Sequence, residues 1–168
     1  MRRQFGFSLL ESLVCITIIL IVSALTLPFL SSSLRANNAE FKLEALRRAI
    51  NFARIKAVAN DATVTLCPLN KDRCDKRDWH KSITIFVDYY PVGIFTGKDV
   101  KLSVFDSTAR GDTLVYPRHA VVFRRFGHLA GLYNGTFIYC NSSNTSGLAL
   151  SVSYTGRSTL KDTEKCNQ

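Results

Sequence analysis

The feature that most limits what this chain can fold into is an apolar run from Phe7 to Leu30 whose only charge is Glu11. As a helix rising 1.5 Å per residue, a run of that length is roughly 36 Å long, enough to cross a hydrocarbon core of ~30 Å. Arg2 and Arg3 stand in front of it. Positive charge there holds the leading end in the cytoplasm and sends the remainder outward. The run is long for a secretory signal peptide, and no small-x-small cleavage site cleanly follows it. A plain anchor leaves Glu11 unexplained, because a carboxylate inside an apolar run costs about 2–3 kcal/mol on insertion scales and needs a partner or a purpose. Pro28 lacks the N–H that its turn of helix requires and is expected to bend it.

Beyond Pro28 the pattern becomes amphipathic. Ala39, Leu43, Leu46, Ile50, Ala53 and Ala57 recur at spacings alternating between four and three, a single apolar stripe. Glu44 and Arg48 are spaced for an i,i+4 ion pair. Asp61 and the β-branched residues after it mark the stop. One helix is therefore expected from about Phe7 to Asn60, with 7–30 in membrane or filament core and 31–60 packed on a domain. Arg35, Lys42, Arg47, Arg48, Arg54 and Lys56 line its remaining surface, where a solvated helix face is favoured over a ligand site.

From residue 61 to 168 the signals are those of strands. Ala62–Cys67, Ser82–Val87, Val100–Phe105, Ala120–Phe123, Thr136–Cys140 and Leu148–Tyr154 are short, rich in β-branched or aromatic residues, and bounded by Gly, Pro, Asn or Asp. Alternation in Ser82–Val87 predicts sheet faces that are half buried. One helix followed by an antiparallel sheet is an α+β chain, with a polar, basic tail after the last strand.

Charge and cysteines narrow the function. The formal net charge is +9, which favours polyanionic partners such as nucleic acid, anionic lipid or acidic polysaccharide. Of five cysteines, Cys15 lies in the apolar run and reads as a passive apolar residue, whereas Cys67, Cys74, Cys140 and Cys166 fall in the exported part. Four cysteines allow three pairings. The simplest is Cys67–Cys74 with Cys140–Cys166, suited to an oxidising compartment. Zinc is disfavoured, since His80, His119 and His128 and the cysteines show no C-x-x-C or H-x3-H spacing. No carboxylate pair, nucleophile elbow or phosphate loop points to an enzyme, and no cofactor or metal is expected.

The string Gly6-Phe7-Ser8-Leu9-Leu10-Glu11 resembles the type IV prepilin cleavage motif. The resemblance implies a leader of residues 1–6, cut after Gly6 by a membrane prepilin peptidase, and N-methylation of Phe7. Cleavage would remove Arg2 and Arg3 and lower the side-chain charge from +9 to +7. It further implies that Glu11 pairs with the Phe7 amine of a neighbouring subunit, which partners the charge only on assembly with other major and minor pilins. The protein would start in the bacterial inner membrane, single-pass with a periplasmic C-terminal domain, and end in a pilus at the cell surface.

Val64-Thr65-Leu66-Cys67, Cys74, Trp79, Phe123…Gly127, Gly135–Cys140 and Ser153-Tyr154-Thr155-Gly156-Arg157, together with the helical stripe, resemble the GspH/FimT group of minor pilins and pseudopilins. That group implies a type IV pilin-like fold and one of two roles. FimT-type minor pilins are implicated in DNA uptake during natural transformation; GspH-type pseudopilins serve type II secretion. The FimT-like DNA-binding motif is Gly-Arg-x-Arg, and here Gly156-Arg157-Ser158-Thr159 lacks the second arginine. Lys161 is the candidate substitute as a phosphate contact, without arginine's bidentate fork. DNA is thus an expected partner, contacted by Arg157, Lys161 and Lys165 and joined by Arg124 and Arg125. Lys71, Arg73, Lys76 and Arg77 form a second, weaker patch, diluted by Asp72, Asp75 and Asp78.

Overall fold

The stripe read along the second half of the helix is buried throughout: Ala39, Leu43, Leu46, Ile50, Ala53 and Ala57 are each at most 9% exposed. The computed structural model describes residues 9–106, 108, 111–142, 147–163 and 165–167, with the backbone alone for 24–38 and 167. Gly6 and Phe7, the expected cleavage pair, lie outside them. Helix α1 spans Leu9–Ala59 and passes through Pro28 without ending. The chain divides into two compact units, Met1–Asn38 and Ala39–Gln168.

In the first unit, residues 9–23 are exposed on every side of the helix, with Leu9 at 83% and Ile19 at 63%. The hydroxyls of Thr17 and Ser23 donate to the Val14 and Ile19 carbonyls, so they ask nothing of their surroundings. Glu11 has no partner among the described residues. A helix apolar all round is stable only when covered, by lipid or by other helices. Among the described residues, no helix is long and apolar enough to cross a membrane. The described side chains of the expected 7–30 span end at Ser23, and residues 9–23 make only about 22 Å of helix against a ~30 Å core.

In the second unit α1 stops in a Schellman arrangement. The Ala62 N–H donates to the Ala57 carbonyl at 3.1 Å and the Asp61 N–H to Val58 at 3.3 Å, with Asp61 at φ 47°. Glu44 pairs with Arg47 at 2.8 Å, rather than with the expected Arg48, because residues three apart also share a helix face.

Among the described residues nine strands follow: β1 (Val64–Asn70), β2 (Arg73–Cys74), β3 (Ile83–Val87), β4 (Val100–Phe105), β5 (Thr113–Val115), β6 (Val121–Phe123), β7 (Gly135–Cys140), β8 (Gly147–Val152) and β9 (Ser158–Thr163). All pairings are antiparallel. One sheet runs β2-β1-β3-β4 with β6 also on β1; the other runs β5-β7-β8-β9. An α+β chain was expected, and this is one.

The helical stripe packs in one core with Val64, Leu66, Ile83, Ile85, Phe123, Phe137, Leu150 and Val152. The opposite faces of β1 and β3 bury Cys67 and Phe86 in a smaller cluster with Ala120 and Val122. All five residues of β3 are buried, not alternately as predicted, because Phe95 from the loop after it covers the outer face, edge-on to Phe86 at 5.2 Å. Trp79 is fully buried between Tyr116 and Phe137, and its indole N–H donates to the Arg118 carbonyl at 2.8 Å.

Two disulfides join Cys67 to Cys74 and Cys140 to Cys166. Cys15 is free and exposed. The segment read as a polar tail is ordered: β9 pairs with β8 over its full length, Lys161 opposite Ala149, and a single turn of 3-10 helix, Lys165–Asn167, follows.

Candidate nucleic-acid interface

Two hairpin tips meet at one place on the second unit. The first carries Arg124–His128, between β6 and the Phe123–Leu129 bridge. Its backbone closes through Arg124 N–H to His128 and Gly127 N–H to Arg124, both at 2.8 Å. The second tip, Ser153–Arg157, joins β8 to β9 and closes through the Ser153 N–H to the Arg157 carbonyl at 2.9 Å. A hydrogen bond from the Leu129 N–H to the Tyr154 carbonyl, 2.9 Å, fastens the tips together.

Gly156 explains why the joint is so close. Its φ is +77°, and a Cβ there would stand 2.8 Å from Phe123 Cε1, 3.2 Å from Arg54 Cδ and 3.2 Å from the Gly127 carbonyl oxygen. Only glycine supplies that backbone at that approach. The glycine of the Gly156-Arg157 pair is thus a packing requirement, and it sets where Arg157 starts.

Arg124, Arg125 and Arg157 are consequently neighbours on an exposed surface. Arg54 of α1 lies under both tips, with its Nε 3.4 Å from where a Gly127 Cβ would be. Among the described residues none of these four arginines is in an ion pair; the ion pairs there are Arg47–Glu44, Arg77–Asp75 and Lys81–Asp78. Aromatic side chains are interleaved. Phe126 is 69% exposed with the Arg125 guanidinium 4.7 Å from its ring centre, and Tyr154 stacks on His128 at 5.9 Å. Beside the first tip opens a cleft of about 490 Å³ lined by Asp61, Thr63, Val92, Val122, Arg124, Arg125 and Phe126, among others.

The five expected contacts are therefore split. Arg124, Arg125 and Arg157 come together. Lys161 is exposed on β9, the outer strand of its sheet, on the same strand face as Thr159, which stands where the second arginine of the motif would be. Lys165 is not brought to the tips: it follows the far end of β9, beside the Cys140–Cys166 bridge, with a six-residue strand of about 20 Å between it and Arg157. Arg54, Phe126 and Tyr154 were not named from sequence as contacts at this surface. Arg54 passed as helix surface, although its place next to the buried Ala53 put it at the edge of the packed face.

In the second basic patch Arg77 is ion-paired, whereas Lys71, Arg73 and Lys76 form no ion pair among the described residues. Arg77 hydrogen-bonds the half-buried Asp75 at 2.8 Å, which holds that carboxyl down at about 2. Lys81 pairs with Asp78 at 2.9 Å. His80, His119 and His128 do not gather, and no group of metal-ligating side chains occurs among the described residues.

A helix leading into antiparallel sheets is a fold found in solved structures of other proteins. Two solved structures of the type IV minor pilin FimU from Pseudomonas aeruginosa share it, each 23% identical. One has a TM-score of 0.59 over 78% of this chain and 96% of that one; the other has 0.56 over 76% and 98%. The minor pseudopilin EpsH of the type 2 secretion system of Vibrio cholerae matches at 0.54, with 11% identity over 74% of this chain and 97% of that one. Residues 1–27 match the prokaryotic N-terminal methylation motif. Residues 42–156 match the family described as type II transport protein GspH, and the chain belongs to that family. No curated protein matches by sequence. It is a non-enzymatic pilin or pseudopilin.

Proposed function

We propose that this chain is a minor pilin of a type IV pilus that binds extracellular DNA without sequence preference during uptake in natural transformation. The observation that carries this reading is the meeting of Arg124, Arg125 and Arg157 on two fastened hairpin tips, with no carboxylate paired to them among the described residues. Unpaired guanidiniums on a shared surface attract phosphate and read charge rather than bases. Lys161 adds a fourth contact along β9, and Lys165 lies too far along the strand to act at the same phosphates.

In the same reading, cleavage after Gly6 exposes Phe7 for methylation. The apolar helix then rests in the inner membrane until Glu11 meets the Phe7 amine of a neighbouring pilin. The exposure of large apolar side chains on every side of residues 9–23 supports a helix that is covered by such neighbours.

The test is DNA binding by the full chain in neutral detergent as salt is varied. With about four phosphate contacts, log K should fall against log salt with a slope of about −3 to −4. Changing Arg124, Arg125 and Arg157 together to Gln should weaken binding and flatten the slope by about 2 to 3. No binding at low salt refutes the function, and an unchanged slope in the triple variant refutes the site.

The family match supports a second reading, a GspH-type pseudopilin with an assembly role in type II secretion. A deletion strain that transforms normally but loses exoprotein secretion would select it.

A further inference from the structure

The cleft beside the arginine tip has a lining that phosphate binding does not explain. Its apolar surface comes from Ala62, Val92, Val122 and Ala130. Arg124, Arg125 and Asp61 also line it. A carboxylate repels phosphate, but it accepts hydrogen bonds from the N–H groups on the edge of a nucleobase, while an arginine donates to base carbonyls and ring nitrogens. A cleft of about 490 Å³ whose lining mixes apolar side chains with charged ones suits a flat, partly polar ring.

Phe126 also lines the cleft, 69% exposed, its ring held by Arg125 at 4.7 Å. An exposed aromatic beside a basic surface is the platform on which unpaired bases stack. Asp61 itself is a costly choice. It occupies the left-handed position at φ 47° that ends α1, where glycine is usual, and sets a negative charge at the negative end of a helix. A residue that breaks two local rules at the rim of a cleft is where function is expected to have overridden stability.

We infer that this cleft binds a single unstacked nucleobase, with Phe126 stacking on it and Asp61 and Arg124 meeting its edge, so that the preferred ligand is single-stranded DNA. The inference rests on the DNA-binding reading and narrows it: Arg125 and Arg157 hold phosphates, and the cleft with Arg124 holds a base. Bases paired in a duplex are stacked inside and cannot reach the cleft without being extruded.

Three probes separate the two claims, each measured by fluorescence anisotropy on the full chain in neutral detergent: a single strand, the same sequence as duplex, and a strand with abasic sites that keeps every phosphate. The single strand should bind about tenfold more tightly than the abasic strand, and Phe126→Ala should remove most of that difference. Phe126 is exposed, so its removal leaves the core intact; circular dichroism of the variant checks this. Equal binding of all three probes, with no effect of Phe126→Ala, overturns the base site and leaves the phosphate reading standing. Duplex preferred over single strand also overturns it. Absence of binding to any probe overturns both.

Discussion

Asp88 is a buried carboxyl, 4% exposed, at the end of β3. One oxygen, Oδ2, accepts hydrogen bonds from the Thr65 hydroxyl and from the Gly93 N–H at 2.9 Å, so it ties β1 to the loop that turns over the sheet. The other, Oδ1, has no partner within the protein among the described residues. Burial disfavours the charged form more than the two hydrogen bonds favour it, and Asp99 nearby adds to the effect, so its pKa is raised above 3.8. The folded state then holds this proton more tightly than the unfolded chain. The corresponding stability is present below about pH 3.8 and is lost as pH rises through the raised folded value. Asp88→Asn keeps an acceptor for the Gly93 N–H and removes the ionisation. Thermal unfolding of both proteins from about pH 4 to about pH 8 should show the variant gaining on the parent as pH rises, then a constant difference. A difference that does not change with pH would mean that Asp88 is not ionised at a cost. None of this was legible in the sequence, where Asp88 follows a predicted strand and reads as its boundary; burial by the 89–99 loop is a tertiary fact.

The end of α1 shows the same tension in one element. Its Schellman bonds are satisfied, yet the left-handed residue is Asp61. An L-residue there costs roughly 1 kcal/mol over glycine, and a carboxylate at the helix C-terminus a further ~0.5 kcal/mol. Asp61→Gly should therefore raise unfolding free energy by about 0.5–1 kcal/mol, net of glycine's greater freedom in the unfolded chain, as read by chemical denaturation. A loss of stability would show that the carboxylate makes a compensating contact. Residues near this helix end were well read from sequence because its stripe has a long, regular period, and the six stripe residues from Ala39 to Ala57 are all buried. Strands with dense apolar patterning, such as Val100–Phe105, were equally legible. Three were not. β2 has two residues and β5 three, too few for any period to register. β9, Ser-Thr-Leu-Lys-Asp-Thr, has one large apolar side chain, and its order comes from pairing with β8, which no local pattern announces. Arg124, Arg125 and Arg157 were named together in the sequence, but their spacing shows no adjacency: they are more than thirty residues apart at their extremes, and the bond between the two tips makes them neighbours.

Across the whole molecule the two disulfides do unequal tasks. Cys67–Cys74 closes a short turn between β1 and β2, strands already paired at Leu69 and Cys74. Cys140–Cys166 joins the end of β7 to the turn after β9, across β8. Gly147 makes room for it, since a Cβ there would lie 2.2 Å from Cys166 Sγ. Loop entropy alone assigns about 2.5 kcal/mol to the short loop and about 3.5 kcal/mol to the long one. The long bridge also secures the outer strand β9, whose burial is slight apart from Leu160, which packs against the core. Cys166→Ser should thus cost more unfolding free energy than Cys74→Ser, by about 1 kcal/mol. It should also lower hydrogen-exchange protection selectively in β9, while β1 and β3 keep theirs. Uniform loss of protection, or a larger cost for Cys74→Ser, would show that β9 is held by its ladder and not by the bridge. Because Lys161 lies on this strand and Arg157 at its start, a chain with Cys140 and Cys166 reduced should present a looser basic surface than the oxidised protein. If the chain binds DNA as proposed, full affinity is then expected only after the domain has reached an oxidising compartment, where such bridges persist.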